Sequence, residues 1–104
     1  MPKVKHVVLL RFKPETSPAT IRQVFASLDA LRHTIPGLLD FSAGANSSPE
    51  GLARGFTHGF VMTFADAASR DAYLPHPDHE AVKANVLPWI AGGADGVIVL
   101  DWSE

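Results

Sequence analysis

One stretch of this chain concentrates groups that could move protons. Tyr73-Leu74-Pro75-His76-Pro77-Asp78-His79 places a phenol and two imidazoles within seven residues. Two more histidines, His6 and His58, sit far away in sequence, each inside an apolar run. Imidazole gains and loses a proton near neutral pH. A tyrosine hydroxyl can hold a carbonyl oxygen or donate to a developing oxyanion. Together these residues suit general acid–base chemistry on a small organic molecule, or recognition of one. Singly, each has a plainer role. A strand histidine facing a core is usually a packed and hydrogen-bonded residue, Tyr73 can cover the edge of a core, and His76 beside Pro77 can cap the helix that follows. His79 is the odd choice for packing alone, because it lies near a helix start on that helix's apolar stripe. His76-Pro77-Asp78-His79 also offers metal-ligand types. The spacing is i and i+3 without an intervening Glu, outside the two-histidine zinc pattern, so no metal is expected. No serine-nucleophile pattern is present, and Gly92-Gly93 precedes a strand, unlike a phosphate loop.

The elements that must carry these residues follow from periodicity. Lys3–Phe12 reads as a strand, with His6, Val8, Leu10 and Phe12 on one face and Val7, Leu9 and Arg11 on the other. Ser17-Pro18 opens a helix to about His33, striped by Ile21, Val24, Phe25, Leu28 and Leu31. Leu38–Ala45 is a second strand, with Leu39, Phe41, Ala43 and Ala45 sharing a face. Residues 46–55 are rich in Asn, Ser, Pro and Gly and form a loop. Phe56–Phe64 alternates as a third strand, with His58 in phase with Phe60, Met62 and Phe64. Asp66 caps a helix to about Tyr73, Pro77 begins another to about Leu87, and Val97–Trp102 is the last strand.

Strand, helix, strand, strand, helices, strand is the order of an α+β, ferredoxin-like fold: a four-stranded antiparallel sheet with helices on one face. If the helices cover the sheet, Tyr73, His79, His58 and His6 are expected to converge at one end of the space between them. The first and last strands are apolar on both faces, yet helices can cover only one. A second sheet packed against the open face would cover the other, so a homodimer is expected. Asp40, Ser42 and Gly44 make the second strand the polar exception.

Composition narrows the function. The chain has 104 residues, one domain over 1–104, with nine Lys and Arg against eleven Asp and Glu. No basic cluster suits nucleic acid or an anionic membrane surface. The absence of cysteine rules out disulfides, thiolate metal sites and cysteine nucleophiles. Val7–Leu10 is too short for a signal peptide and no run approaches a membrane span, so a cytoplasmic protein is expected.

Three segments in order carry a resemblance: Lys5-His6-Val7-Val8-Leu9-Leu10-Arg11-Phe12-Lys13, then Phe56-Thr57-His58 with Thr63-Phe64, then Tyr73-Leu74-Pro75-His76-Pro77-Asp78-His79. Across essentially its whole length the chain resembles the stress-responsive A/B barrel domain (Dabb) family. The resemblance implies a ferredoxin-like protomer and a dimeric α/β barrel. Many members have no assigned activity. One plant member closes a linear polyketide without a cofactor, using a Tyr and a His in a pocket between helices and sheet. Those roles would fall here on Tyr73 and His79, with His6 and His58 as the other pocket histidines. The pocket is expected to involve Val24, Phe25, Leu28, Phe60, Val82, Val97 and Val99. Val24, Phe25 and Leu28 stand where that plant member offers two Phe and a Tyr, so one pocket tyrosine is missing. The implied function is binding of a small apolar, aromatic or keto molecule by a homodimer. The alternative is a cofactor-free cyclase, isomerase or lyase. A heme or monooxygenase role would rest on analogy between barrel folds alone.

Overall fold

The computed structural model describes residues 2–104. Strand β1 (Val4–Leu10) leads to helix α1 (Pro18–Ala30). Strands β2 (Leu38–Ala45) and β3 (His58–Phe64) follow, then helices α2 (Ala67–Tyr73) and α3 (Pro77–Val86) and strand β4 (Val97–Ser103). The strands form one sheet in the order β2-β3-β1-β4, and every neighbouring pair is antiparallel. This is the ferredoxin-like arrangement.

Local chemistry sets the helix starts. The Ser17 hydroxyl accepts from the Thr20 amide at 3.1 Å, and Pro18 fills a position whose N–H would have no partner. The Asp66 carboxylate accepts from the Ser69 amide at 2.8 Å, and the His76 ring caps α3 by accepting from the Asp78 amide at 3.0 Å. Burial follows the expected phases. Val4, His6, Val8 and Leu10 of β1 and Phe60, Met62 and Phe64 of β3 turn inward under the helices, which press Val24, Leu28, Tyr73 and Val86 onto them.

The register moves several boundaries. β1 stops at Leu10, and Phe12 keeps only an isolated bridge to Ile90. β3 starts at His58 and not at Phe56, because the Phe56 N–H turns back to the Ala53 carbonyl at 3.0 Å within the preceding loop; the Arg11 guanidinium lies over the Phe56 ring at 4.7 Å. A bulge between Leu38 and Asp40 buries Leu38 and leaves Leu39 exposed, so Leu39 does not share the face of Phe41, Ala43 and Ala45. α1 gives way to a 3₁₀ turn at Leu31–His33, and α3 to another at Leu87–Trp89 around Pro88. Gly37, at φ +83°, packs so closely on Ser69 that a β-carbon there would collide with that side chain. This contact brings α2 close against the turn that precedes β2.

The opposite sheet face is bare. Leu9, Ile98, Leu100 and Trp102 are 39%, 44%, 62% and 49% exposed.

Candidate functional site

The site begins with a broken helix. Pro75 and Pro77 cannot donate N–H groups, so the chain turns between α2 and α3. The Asp78 amide, which would have bonded back to Leu74 in a continuous helix, is taken by His76. That leaves the Leu74 carbonyl free, and the His79 ring fills it, with Nδ1 2.9 Å from the oxygen. A carbonyl only accepts, so His79 Nδ1 carries the proton and Nε2 is the ring's acceptor. Burial holds the His79 imidazole below its ordinary pKa, so the neutral form is favoured.

Tyr73 ends α2 and is 1% exposed. Its ring centroid is 4.1 Å from that of His79, the planes tilted by 32°. It also packs on Phe64 at 5.1 Å and on His6 at 6.0 Å. Burial pushes the Tyr73 phenol well up, so it remains protonated and able to donate. Among the described residues its hydroxyl has no side-chain or backbone partner, and it is not sealed from the space beside it.

His6 completes the group from β1. Its Nδ1 lies 2.8 Å from Asp101 Oδ1. The carboxylate only accepts, so a neutral His6 carries its proton on Nδ1 and leaves Nε2 as an acceptor.

These three side chains line one cavity of about 210 Å³ between sheet and helices, with Leu28, Phe60, Val97 and Val99 among its walls and Lys83 beside it. The remaining expected residues go elsewhere. Val24 and Val82 line a separate groove between α1 and α3. Phe25 packs 5.9 Å from His58, away from this cavity. His58 does not join the other three. The register sets it opposite Leu10, four residues from His6 along β1 and so about 13 Å away. There its ring meets Phe12 edge-on at 5.1 Å, and Nδ1 bonds the Thr57 hydroxyl at 2.8 Å. The expected convergence of four residues is therefore one of three. A larger open trough, about 580 Å³, lies between the 46–57 loop and the bare sheet face and includes His58. Among the described residues no three His, Asp or Glu side chains gather as metal ligands, and no helix is long and apolar enough to cross a membrane.

Comparison with known proteins follows the same lines. The family signature of the stress responsive A/B barrel domain matches residues 4–104. The chain belongs to the stress-responsive A/B barrel domain family. Over 76 residues it is 30% identical to the olivetolic acid cyclase of Cannabis sativa, covering 73% of this chain and 75% of the cyclase. A dimeric ferredoxin-like protein of unknown function from Jannaschia sp. CCS1 superimposes with a TM-score of 0.85 at 34% identity, covering 96% of this chain and 97% of that one. The hydroxynitrile lyase of Passiflora edulis also gives 0.85, at 25% identity, covering 98% and 93%.

Within this A/B barrel protein, sequence reasoning missed Asp101, Arg70, the Leu74 carbonyl and Lys83. Asp101 did leave a signal. It is the one charged residue in the Val97–Trp102 run, in phase with Val97 and Val99 and hence facing the helices.

The half-buried imidazoles give the A/B barrel protein an expected pH response. His79 and His58 are both held below their ordinary pKa by burial. The unfolded chain takes up protons below about pH 6.5, where these folded rings resist them. Their contribution to stability is therefore present above that pH and lost as pH falls toward the folded values. Thermal melts from pH 7.5 to pH 5 should show Tm falling. A His58→Phe/His79→Phe variant should lose less, and an equal loss in that variant would refute this origin.

Proposed function

We propose that this chain acts as a single A/B barrel domain over residues 1–104 that forms a homodimer and binds a small apolar or aromatic molecule between its helices and sheet. The observation that carries the reading is the cavity of about 210 Å³, whose walls are almost wholly apolar while Tyr73, His6 and His79 are among the residues that line it. A dry 150 Å³ cavity holds benzene, so this one suits a single ring or a short chain with one polar end. A thermal-shift panel of phenols, β-keto acids and small lactones tests it. A ligand at 100 times its Kd should stabilise by about 2.7 kcal/mol. No shift from any of them would sink the reading.

The dimer is supported by the bare apolar sheet face and by the dimeric Jannaschia relative. Burying a Leu side chain stabilises by roughly 1.5–3 kcal/mol, so Leu9, Ile98 and Leu100 together are a substantial drive to pair. Wild type is expected to sediment as a dimer at micromolar concentration, and Leu100→Glu as a monomer. A monomeric wild type would remove this part of the proposal.

A second reading is favoured by the pairing of a protonated phenol with a neutral imidazole. It is a cofactor-free cyclase, isomerase or lyase acting on a carbonyl compound, as the names of the cyclase and lyase relatives suggest. Tyr73 would donate to the carbonyl oxygen and His79 Nε2 would take the proton from the adjacent carbon.

A further inference from the structure

Arg70 stands one turn before Tyr73 in α2 and reaches the edge strand β4. Its Nη1 donates to Asp101 Oδ2 at 2.7 Å, and its Nε donates to Asp71 Oδ1 at 2.8 Å. The other oxygen of Asp101 accepts from His6 Nδ1 at 2.8 Å. One carboxylate thus joins the guanidinium and the imidazole, one partner on each oxygen, and the guanidinium restrains its rotation. The Asp101 and Arg70 side chains are 20% and 24% exposed, while His6 is buried. An ordinary surface ion pair would contribute little to stability. This pair also abuts a ring that lines the cavity.

We propose that Arg70 is a positioning residue for the cavity. By holding Asp101 it fixes His6 in the Nδ1–H form with Nε2 as an acceptor, which suits a ligand whose polar group donates a hydrogen bond: an alcohol, phenol or enol hydroxyl. With His79 also held Nδ1–H by the Leu74 carbonyl, the residues that line the cavity include two imidazoles each with Nε2 as its acceptor, and one phenol. A hydroxyl can give its proton to one imidazole and accept from Tyr73. A bare hydrocarbon leaves all three unmatched, and unmatched buried polar groups weaken binding. The choice of ligand rests on the binding reading above, whereas the effect on the His6 ring does not.

Two measurements separate these parts. Long-range proton–nitrogen NMR spectra of ¹⁵N-labelled protein at about pH 8, where an ordinary imidazole is neutral, report which nitrogen of His6 is protonated. Wild type and Arg70→Lys should show the Nδ1–H form, and so should Asp71→Ala, which removes only the outer partner. Arg70→Ala should show a mixture of the two forms. An unchanged His6 signal in Arg70→Ala, or an Nε2–H form in wild type, would overturn the positioning role. The second measurement is the thermal shift with benzyl alcohol against toluene. Benzyl alcohol should bind wild type more tightly than toluene does, and its affinity for Arg70→Ala should be weaker in proportion to the Nδ1–H form lost, about 2-fold for an even mixture and up to about 5-fold where that form is rare. Equal binding of both compounds to wild type, or undiminished binding of benzyl alcohol to Arg70→Ala, overturns the ligand preference. No binding of either, with the NMR result as expected, overturns the binding reading and leaves the role of Arg70 on the ring in place.

Discussion

Under the acid–base reading, replacing His79 with alanine is expected to lower kcat/KM on a carbonyl substrate by about 10²–10⁴-fold, the usual worth of a positioned general base. The geometry argues for this size of effect. The Leu74 carbonyl occupies Nδ1, so the proton-accepting atom is defined, and burial keeps it unprotonated at neutral pH. The same substitution should leave the fold intact, since the ring is partly exposed and its main packing partner is the Tyr73 ring at 4.1 Å. His79→Phe sharpens the comparison: it restores an aromatic partner for Tyr73, so Tm should return while turnover does not. Full activity in either variant would show that His79 only packs, and the acid–base reading would then fall.

Tyr73→Ala is expected to destabilise the protein by about 3–5 kcal/mol, in the range of other large buried aromatics. Tyr73 is 1% exposed and touches Phe64, His6 and His79, so its loss opens a hole at the junction of α2, α3 and the sheet. For a domain of this size Tm should fall by roughly 10 °C or more. Tyr73→Phe separates the ring from the hydroxyl. The hydroxyl bonds no group among the described residues, so removing it should leave Tm almost unchanged. Ligand affinity should nevertheless drop by about 5-fold, one hydrogen bond. A Tyr73→Phe protein that loses stability and keeps its affinity would reverse the assignment, making the hydroxyl structural.

Much of the architecture is legible because local signals agree with one another. The Ser17-Pro18 and Asp66 caps, the α1 stripe and the alternation of β1 and β3 all predict the elements that form. What escapes depends on pairing between strands. Nothing local in Phe56-Thr57-His58 says that the Phe56 N–H turns back to the Ala53 carbonyl and so leaves the ladder. Nothing in Leu38-Leu39 announces a bulge that exchanges which leucine is buried. The same limit applies to the site. Tyr73 and His79 are close in sequence, and a three-residue helix break at Leu74–His76 is enough to bring their rings together. His6 and His58 share the phase of buried neighbours, yet phase is blind to position along a strand. Only the antiparallel register, His6 opposite Met62 and His58 opposite Leu10, separates the histidine that meets the cavity from the one that does not. Asp101 is the converse case. It becomes the partner of His6 only once β4 lies antiparallel beside β1 and sets residue 101 opposite residue 6.

The two faces of the sheet give the protein a separable inheritance. Along β1, His6 and Val8 turn toward the cavity while Val7 and Leu9 turn toward the bare side, and along β4 Val99 and Leu100 divide in the same way. Substitutions at one set can reshape the cavity wall and leave the bare face untouched, and substitutions at the other can change the bare face and spare the cavity. Point changes can therefore alter either face alone. A one-residue insertion within a strand could not, since it would exchange the two sets at once.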